Sequence, residues 1–139
     1  MAEQMHTSTT APTPQIIETR EALQKLVARL MQTPRVAVDT EANSFYAYHE
    51  QVCLIQFSVP NTNYVVDPLA IEDLSPLKPF FETPKVEKVF HAADYDLIVL
   101  KRDFGFACTA LFDTMWAARI LGWPRVGLAD ILKQYFNVN

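Results

Sequence analysis

Leu23, Leu26, Val27 and Leu30 recur at the i, i+3, i+4, i+7 spacing of one helix face. Thr19 stands where an N-cap belongs and Pro34 closes the segment, which predicts a helix over 20–32. The pattern then shortens. Val36–Thr40, Val52–Val59 and Asn63–Asp67 read as strands, and Ile16-Ile17 as a short strand ahead of the helix. Pro60-Asn61-Thr62 is the turn between the second and third of these. Further on, a short helix starting at Asp73 or Ser75 runs through Leu77, Phe80 and Phe81, and KVEKVFH (85–91) is another strand. Leu97, Leu100, Lys101 and Phe104 lie on one stripe of a helix over 95–104, with Gly105 as its stop. Ala110–Phe112 is a fifth strand, Asp113 caps a helix over 114–121, and a last helix covers 127–136.

Three strands joined by short turns, followed by strands alternating with helices, describe an α/β domain. The early strands should form an antiparallel meander, and the later ones should join it in parallel through crossovers. Residues 1–14, polar and rich in Thr and Pro, read as a disordered tail, leaving 15–139 as the domain.

Composition narrows the function. The chain has 139 residues, half of them hydrophobic, enough for one domain with a core. With 3 Gly and 9 Pro, it carries neither a dinucleotide fingerprint nor a P-loop. A net charge of −4 argues against coating nucleic acid through a basic surface, and leaves open the capture of a chain end through metal ions. Cys53 and Cys108 form no CxxC, and Cys53, within VCLIQFSV, reads as a buried free thiol. The first residues lack the apolar run of a secretory signal, and no stretch approaches the ~18 apolar residues of a membrane span. A cytoplasmic protein with no membrane contact is the expectation.

The candidate chemistry sits where strands end. In VAVDTEA, Asp39 and Glu41 are i and i+2, so on a strand they share a face ~7 Å apart. Two carboxylates there suit a hard cation such as Mg²⁺ or Mn²⁺; two solvated charges on a strand end would look the same. In VFHAADYDLIVL, Asp94 and Asp96 precede a helix. Asp94 fits the N-cap, so Asp96 is free for another role.

VAVDTEA, VCLIQFSV, YVVDPL, KVFHAADYDLIVL and FDT, in that order, resemble the ribonuclease D branch of the DEDD 3′-to-5′ exonucleases. The resemblance runs from about Ile16 to the end. It implies a ribonuclease H-like (DnaQ-like exonuclease) fold, a five-stranded mixed sheet flanked by helices on both sides. It implies hydrolysis of the terminal phosphodiester of RNA, or DNA, releasing nucleoside 5′-monophosphates. Two divalent ions, Mg²⁺ or Mn²⁺, would be held by Asp39, Glu41 and Asp96, the partner being a single-stranded 3′ end such as a tRNA precursor, with no protein partner required. Thr40, Phe45, Gln56 and His91 are candidates for substrate contact. Lys101 and Arg102 read as solvated charges, Asp113 as a helix cap, and Trp116 and Trp123 as core.

The family's third motif, Tyr, three residues, then Asp, is not found. Tyr46, Tyr48, Tyr64, Tyr95 and Tyr135 are followed at that distance by Glu50, Val52, Pro68, Val99 and Asn139. His91 and Asp96 match the alternative His-x4-Asp spacing, but Asp96 already serves as the second motif. The expectation is therefore a domain incomplete at its C-terminus, with a catalytically impaired fragment or nucleic-acid-binding module as the alternative.

Overall fold

The alternation of Val36, Val38 and Thr40 with Ala37, Asp39 and Glu41 folds as strand β2 (Arg35–Ala42), buried at every second residue up to its end. A computed structural model describes this strand and its surroundings over residues 11–43 and 49–138. β3 (Val52–Val59) runs antiparallel to β2, and β4 (Thr62–Val66) antiparallel to β3. Asn61, at φ 65°, makes the tight turn between β3 and β4, a conformation Asn tolerates well. β5 (Glu87–Phe90) lies parallel to β2, and β6 (Leu111–Asp113) parallel to β5. The meander and its parallel additions are as the sequence suggests.

The sheet has six strands rather than five. β1 (Gln15–Ile17) pairs in parallel with Tyr64–Val66 on the outer edge, giving the order β1-β4-β3-β2-β5-β6. Ile17 is buried there and its carbonyl accepts from Asp67 N, so the short strand read at Ile16-Ile17 joins the sheet as its sixth member. Asn63 Nδ2 donates to the carbonyl of Pro12, so the described part of the N-terminal segment lies against this edge.

Helix α1 (Arg20–Met31) begins at Thr19, whose side chain accepts from Ala22 N, and buries Leu23, Leu26 and Leu30. A 3₁₀ turn at Ser75–Leu77 leads into α2 (Lys78–Glu82). Helix α3 (Asp94–Phe104) stops at Gly105, at φ 71°, where the left-handed conformation of the stop favours glycine. Together with Val36, Val38, Ile55, Phe57, Val66 and Phe90 from one face of the sheet, these helices build a single core. Its centre is aromatic: Phe81 packs on Phe57, Phe80 and Phe106 with ring centroids 5.0–6.1 Å apart.

Helices α4 (Thr114–Ile120) and α5 (Leu128–Phe136) lie on the other side and cover little of it. Thr114 and Leu128 border a cavity of about 870 Å³ over the second sheet face, lined by Ala37, Asp39, Gln56, Ser58 and Val89. The helices are thus on both sides but unevenly. Trp116, expected in the core, is 47% exposed on α4, and Trp123 is half-buried, stacked on Tyr135 at 4.2 Å. Cys53, expected buried, is half-buried, with its thiol donating to the carbonyl of Glu41.

Lys88 is fully buried in β5, which KVEKVFH gave no reason to expect. Its Nζ donates to the carbonyls of Thr83 and Val86 at 2.5 and 2.9 Å and lies over the Phe80 ring. Burial holds its pKa below the usual lysine value. Among the described residues, no helix is long and apolar enough to cross a membrane.

Candidate active site

The strand-end motif divides between two surroundings. Asp39 pairs across β2–β3 with Gln56 and Glu41 with Leu54, and both carboxylates are exposed on the sheet face that α1, α2 and α3 leave uncovered. Thr40, between them, faces the covered side and is buried. Its backbone N–H and its hydroxyl both donate to Asp96 Oδ1, at 3.1 and 2.5 Å. The two acidic motifs, 56 residues apart, are therefore joined through the residue between the first pair.

Asp96 lies in the first turn of α3 and is 6% exposed. Burial pushes its pKa above the ordinary carboxylate value, and the charge of Asp39 adds to the effect, while the two hydrogen bonds from Thr40 oppose it. Asp96 thus feels the charge of Asp39, a condition that a shared cation would relieve.

The turn that delivers Asp96 is held from a third place. Between β5 and α3, Ala92 takes a left-handed φ of 59°. Its N–H and that of Ala93 donate to the Asp113 carboxylate at 3.1 and 2.8 Å. Asp113 also accepts from Met115 N and Trp116 N, capping α4 as expected. Burial alone would raise the Asp113 pKa, but the four N–H donors outweigh it and hold the carboxyl below its usual value. Asp94, expected to cap α3, does not. Ala93 occupies the N-cap position, and its methyl side chain has no acceptor to offer the first-turn N–H groups; the N–H groups of the preceding turn go to Asp113.

The sequence profile of the 3′-5′ exonuclease family matches residues 14–139. The chain belongs to this family. It is 38% identical over 122 residues to the exosome complex exonuclease RRP6 of Saccharomyces cerevisiae, a match covering 87% of this chain and 17% of that protein. It is 40% identical over 120 residues to ribonuclease D of Acidiphilium cryptum, covering 86% of this chain and 31% of the relative. Among solved structures, the catalytic core of RRP6 from Trypanosoma brucei superposes with a TM-score of 0.87 at 34% identity, over 96% of this chain and 37% of that one. The chain thus spans less than a third of the length of these two curated relatives. The resemblance to the ribonuclease D branch and the ribonuclease H-like fold are both borne out.

In this exonuclease domain, Gln56 is half-buried beside Asp39 on the open face, and His91, also half-buried, lines the same cavity. Phe45, with Tyr46 and Tyr48, lies outside the described residues. Thr40, a candidate for substrate contact, sits behind the carboxylates as the partner of Asp96. Arg102 is engaged by Asp103 and Glu50, whereas Lys101 is exposed. The sequence reading missed the second duty of Asp113 and Thr114 in holding the 90–93 turn. The one signal was a hydroxyl residue directly after a capping Asp.

Exonucleases of this family generally use divalent metal ions. Among the described residues, no group of three His, Cys, Asp or Glu side chains is gathered closely enough to hold one. The donor set nevertheless fits a hard cation in kind, with two exposed carboxylates on one face and a third carboxylate that senses the first.

Proposed function

We propose that this chain is a metal-dependent 3′-to-5′ exonuclease domain that removes the terminal nucleotide of RNA, or of DNA, as a nucleoside 5′-monophosphate. Its family membership and the ribonuclease named among its relatives support this. The observation that carries the reading is the tie from Thr40 to Asp96, which brings the second acidic motif to the strand bearing Asp39 and Glu41.

Asp39, Glu41 and Asp96 would hold two divalent ions, Mg²⁺ or Mn²⁺, which when bound supply charge neutralisation at the scissile phosphodiester and lower the pKa of water. The protein's own part is arrangement. Asp39 and Glu41 present to the open face carboxylates that accept from no side chain among the described residues, and Thr40 occupies one oxygen of Asp96 so that its orientation is set. Gln56, His91 and Phe45 are the candidates for contact with a single-stranded 3′ end, such as that of a tRNA precursor. In this reading Thr40 acts by positioning Asp96.

A second reading has its own observation. No Tyr in the 139 residues is followed four residues later by Asp, so they hold no match to the water-orienting Tyr and fourth carboxylate of the family pattern. A chain of this kind would bind nucleic acid without turning it over.

The test is release of mononucleotide from a 3′-labelled single-stranded RNA with Mg²⁺ or Mn²⁺. This chain should be run beside Asp39→Ala and beside a version extended through a third motif. Turnover by the chain or its extension, lost in Asp39→Ala, supports the exonuclease. Binding by calorimetry without turnover in this chain supports the second reading. No release by the extended protein overturns the first.

A further inference from the structure

Thr114 has one hydroxyl proton, and the carbonyl of Phe90 takes it at 3.1 Å. The same oxygen lies 2.8 Å from His91 Nδ1. With its proton already donated, Thr114 Oγ1 accepts from the imidazole, so Nδ1 carries the hydrogen. In the neutral ring, Nε2 is then a bare acceptor. The backbone around this ring is equally constrained, since Asp113 accepts from the N–H groups of Ala92 and Ala93, the two residues that follow His91. His91, Thr114, Asp39 and Gln56 border one cavity. The fold therefore holds a histidine in position and in tautomer, with Nε2 bonded by no described residue, in the cavity that the first carboxylate of the site also lines.

A nucleotide offers such an acceptor few partners. Its phosphate oxygens are acceptors themselves and would be repelled by the Nε2 lone pair. Its donors are the sugar hydroxyls and the N–H groups of some bases, and only the hydroxyls are present whatever the base. In a cavity shared with a carboxylate that the exonuclease reading places at the terminal phosphodiester, the group at hand is the sugar attached to that phosphate. We infer that His91 Nε2 accepts a hydrogen bond from a sugar hydroxyl of the 3′-terminal nucleotide, with Thr114 as the positioning residue that sets the tautomer. This rests on the exonuclease reading and deepens it. If the hydroxyl is the 2′ one, His91 favours RNA over DNA at the chain end.

Two measurements on the intact chain test this. Long-range proton–nitrogen NMR of histidine-labelled protein should show His91 in the Nδ1–H form when free, and Thr114→Val should lose that preference. Finding the Nε2–H form in the unsubstituted protein overturns the inference with no variant needed. An RNA pentamer is then titrated with Mg²⁺ by fluorescence anisotropy. His91→Ala should weaken binding about fivefold, the worth of one ordinary hydrogen bond. Pentamers ending in a 2′-deoxy or a 3′-deoxy nucleotide identify the hydroxyl, because the correct one, once removed, abolishes the difference between His91→Ala and the parent. If the pentamer binds and neither deletion nor His91→Ala matters, the inference falls and the exonuclease reading stands. If no pentamer binds at all, both fall.

Discussion

The two faces of the sheet differ more than the one-residue offset between them suggests. Val36, Val38 and Thr40 face α1, α2 and α3 and are buried, whereas Ala37, Asp39 and Glu41 alternate with them and are exposed. The first face supplies the stability of the domain, and the second leaves the carboxylates of Asp39 and Glu41 exposed. Thr40 belongs to the covered face by burial, yet it holds Asp96, whose carboxyl senses Asp39 on the open face. A single strand thus divides a packed back from an open front, one residue apart.

Removing packing from each face in turn gives the largest effect. Phe81 is fully buried among Phe57, Phe80 and Phe106. Phe81→Ala should cost about 3–5 kcal/mol in urea unfolding, through lost burial and the cavity left behind. Phe112 pairs with Val89 on the open face and is 45% exposed, so Phe112→Ala should cost under about 1 kcal/mol. Equal costs would mean that the open face is packed in solution, and the contrast would fail.

Asp113 joins the two sides, and its removal comes next. Asp113→Ala withdraws the acceptor of four backbone N–H groups, at the α4 cap and at the 92–93 turn. A loss of about 2–3 kcal/mol is expected, more than an ordinary cap of about 1 kcal/mol. Its folded pKa lies below the unfolded value of 3.8, so its contribution is present above that value and lost as the pH falls through the lowered one. Acid unfolding of the parent should therefore steepen below pH 3.8, and Asp113→Ala should lack that part. A loss near 1 kcal/mol would reduce Asp113 to a helix cap alone.

Much of the covered face was legible because its signals are local. The period-two burial of β2, the Thr19 cap, the Gly105 stop and the α1 stripe each follow from a few adjacent residues. The exposed pair Asp39 and Glu41 was legible for the same reason. What escaped depends on contacts far apart in the chain. The Ile16-Ile17 strand was visible but not its place beside Tyr64–Val66, and Lys88 is buried only because Thr83 and Val86 offer carbonyls. Asp94 looked like the cap of α3 because the partner that holds this turn, Asp113, arrives on another strand. Thr40 invited a substrate role for want of any sign that Asp96 claims it.

The open carboxylates provide the complementary experiment. Asp39→Asn and Glu41→Gln touch exposed groups, so urea unfolding without metal should move by no more than about 0.5 kcal/mol. Calorimetric binding of Mn²⁺ should nevertheless weaken at least about tenfold in each, since a hard cation loses a charged oxygen ligand. Loss of stability without loss of Mn²⁺ binding would move these residues to the structural side of the comparison.

The smallest effect probes the residue that belongs to both sides. Burial, and after it the charge of Asp39, raises the Asp96 pKa above 3.8, against the pull of the Thr40 hydrogen bonds. A carboxyl whose folded value is raised binds its proton more tightly in the folded state. Its contribution is therefore favourable at low pH and declines as the pH rises from 3.8 through the raised value. Asp96→Asn should remove that decline from the pH profile of metal-free unfolding. Asp39→Asn should remove only part of it, because Asp39 is the lesser of the two causes. Mn²⁺ should flatten the same segment of the profile in the parent protein by stabilising the charged carboxylate, and should leave Asp39→Asn little changed. If Asp39→Asn leaves the slope intact, the two carboxylates do not sense each other, and the case for a cation between them loses its electrostatic support.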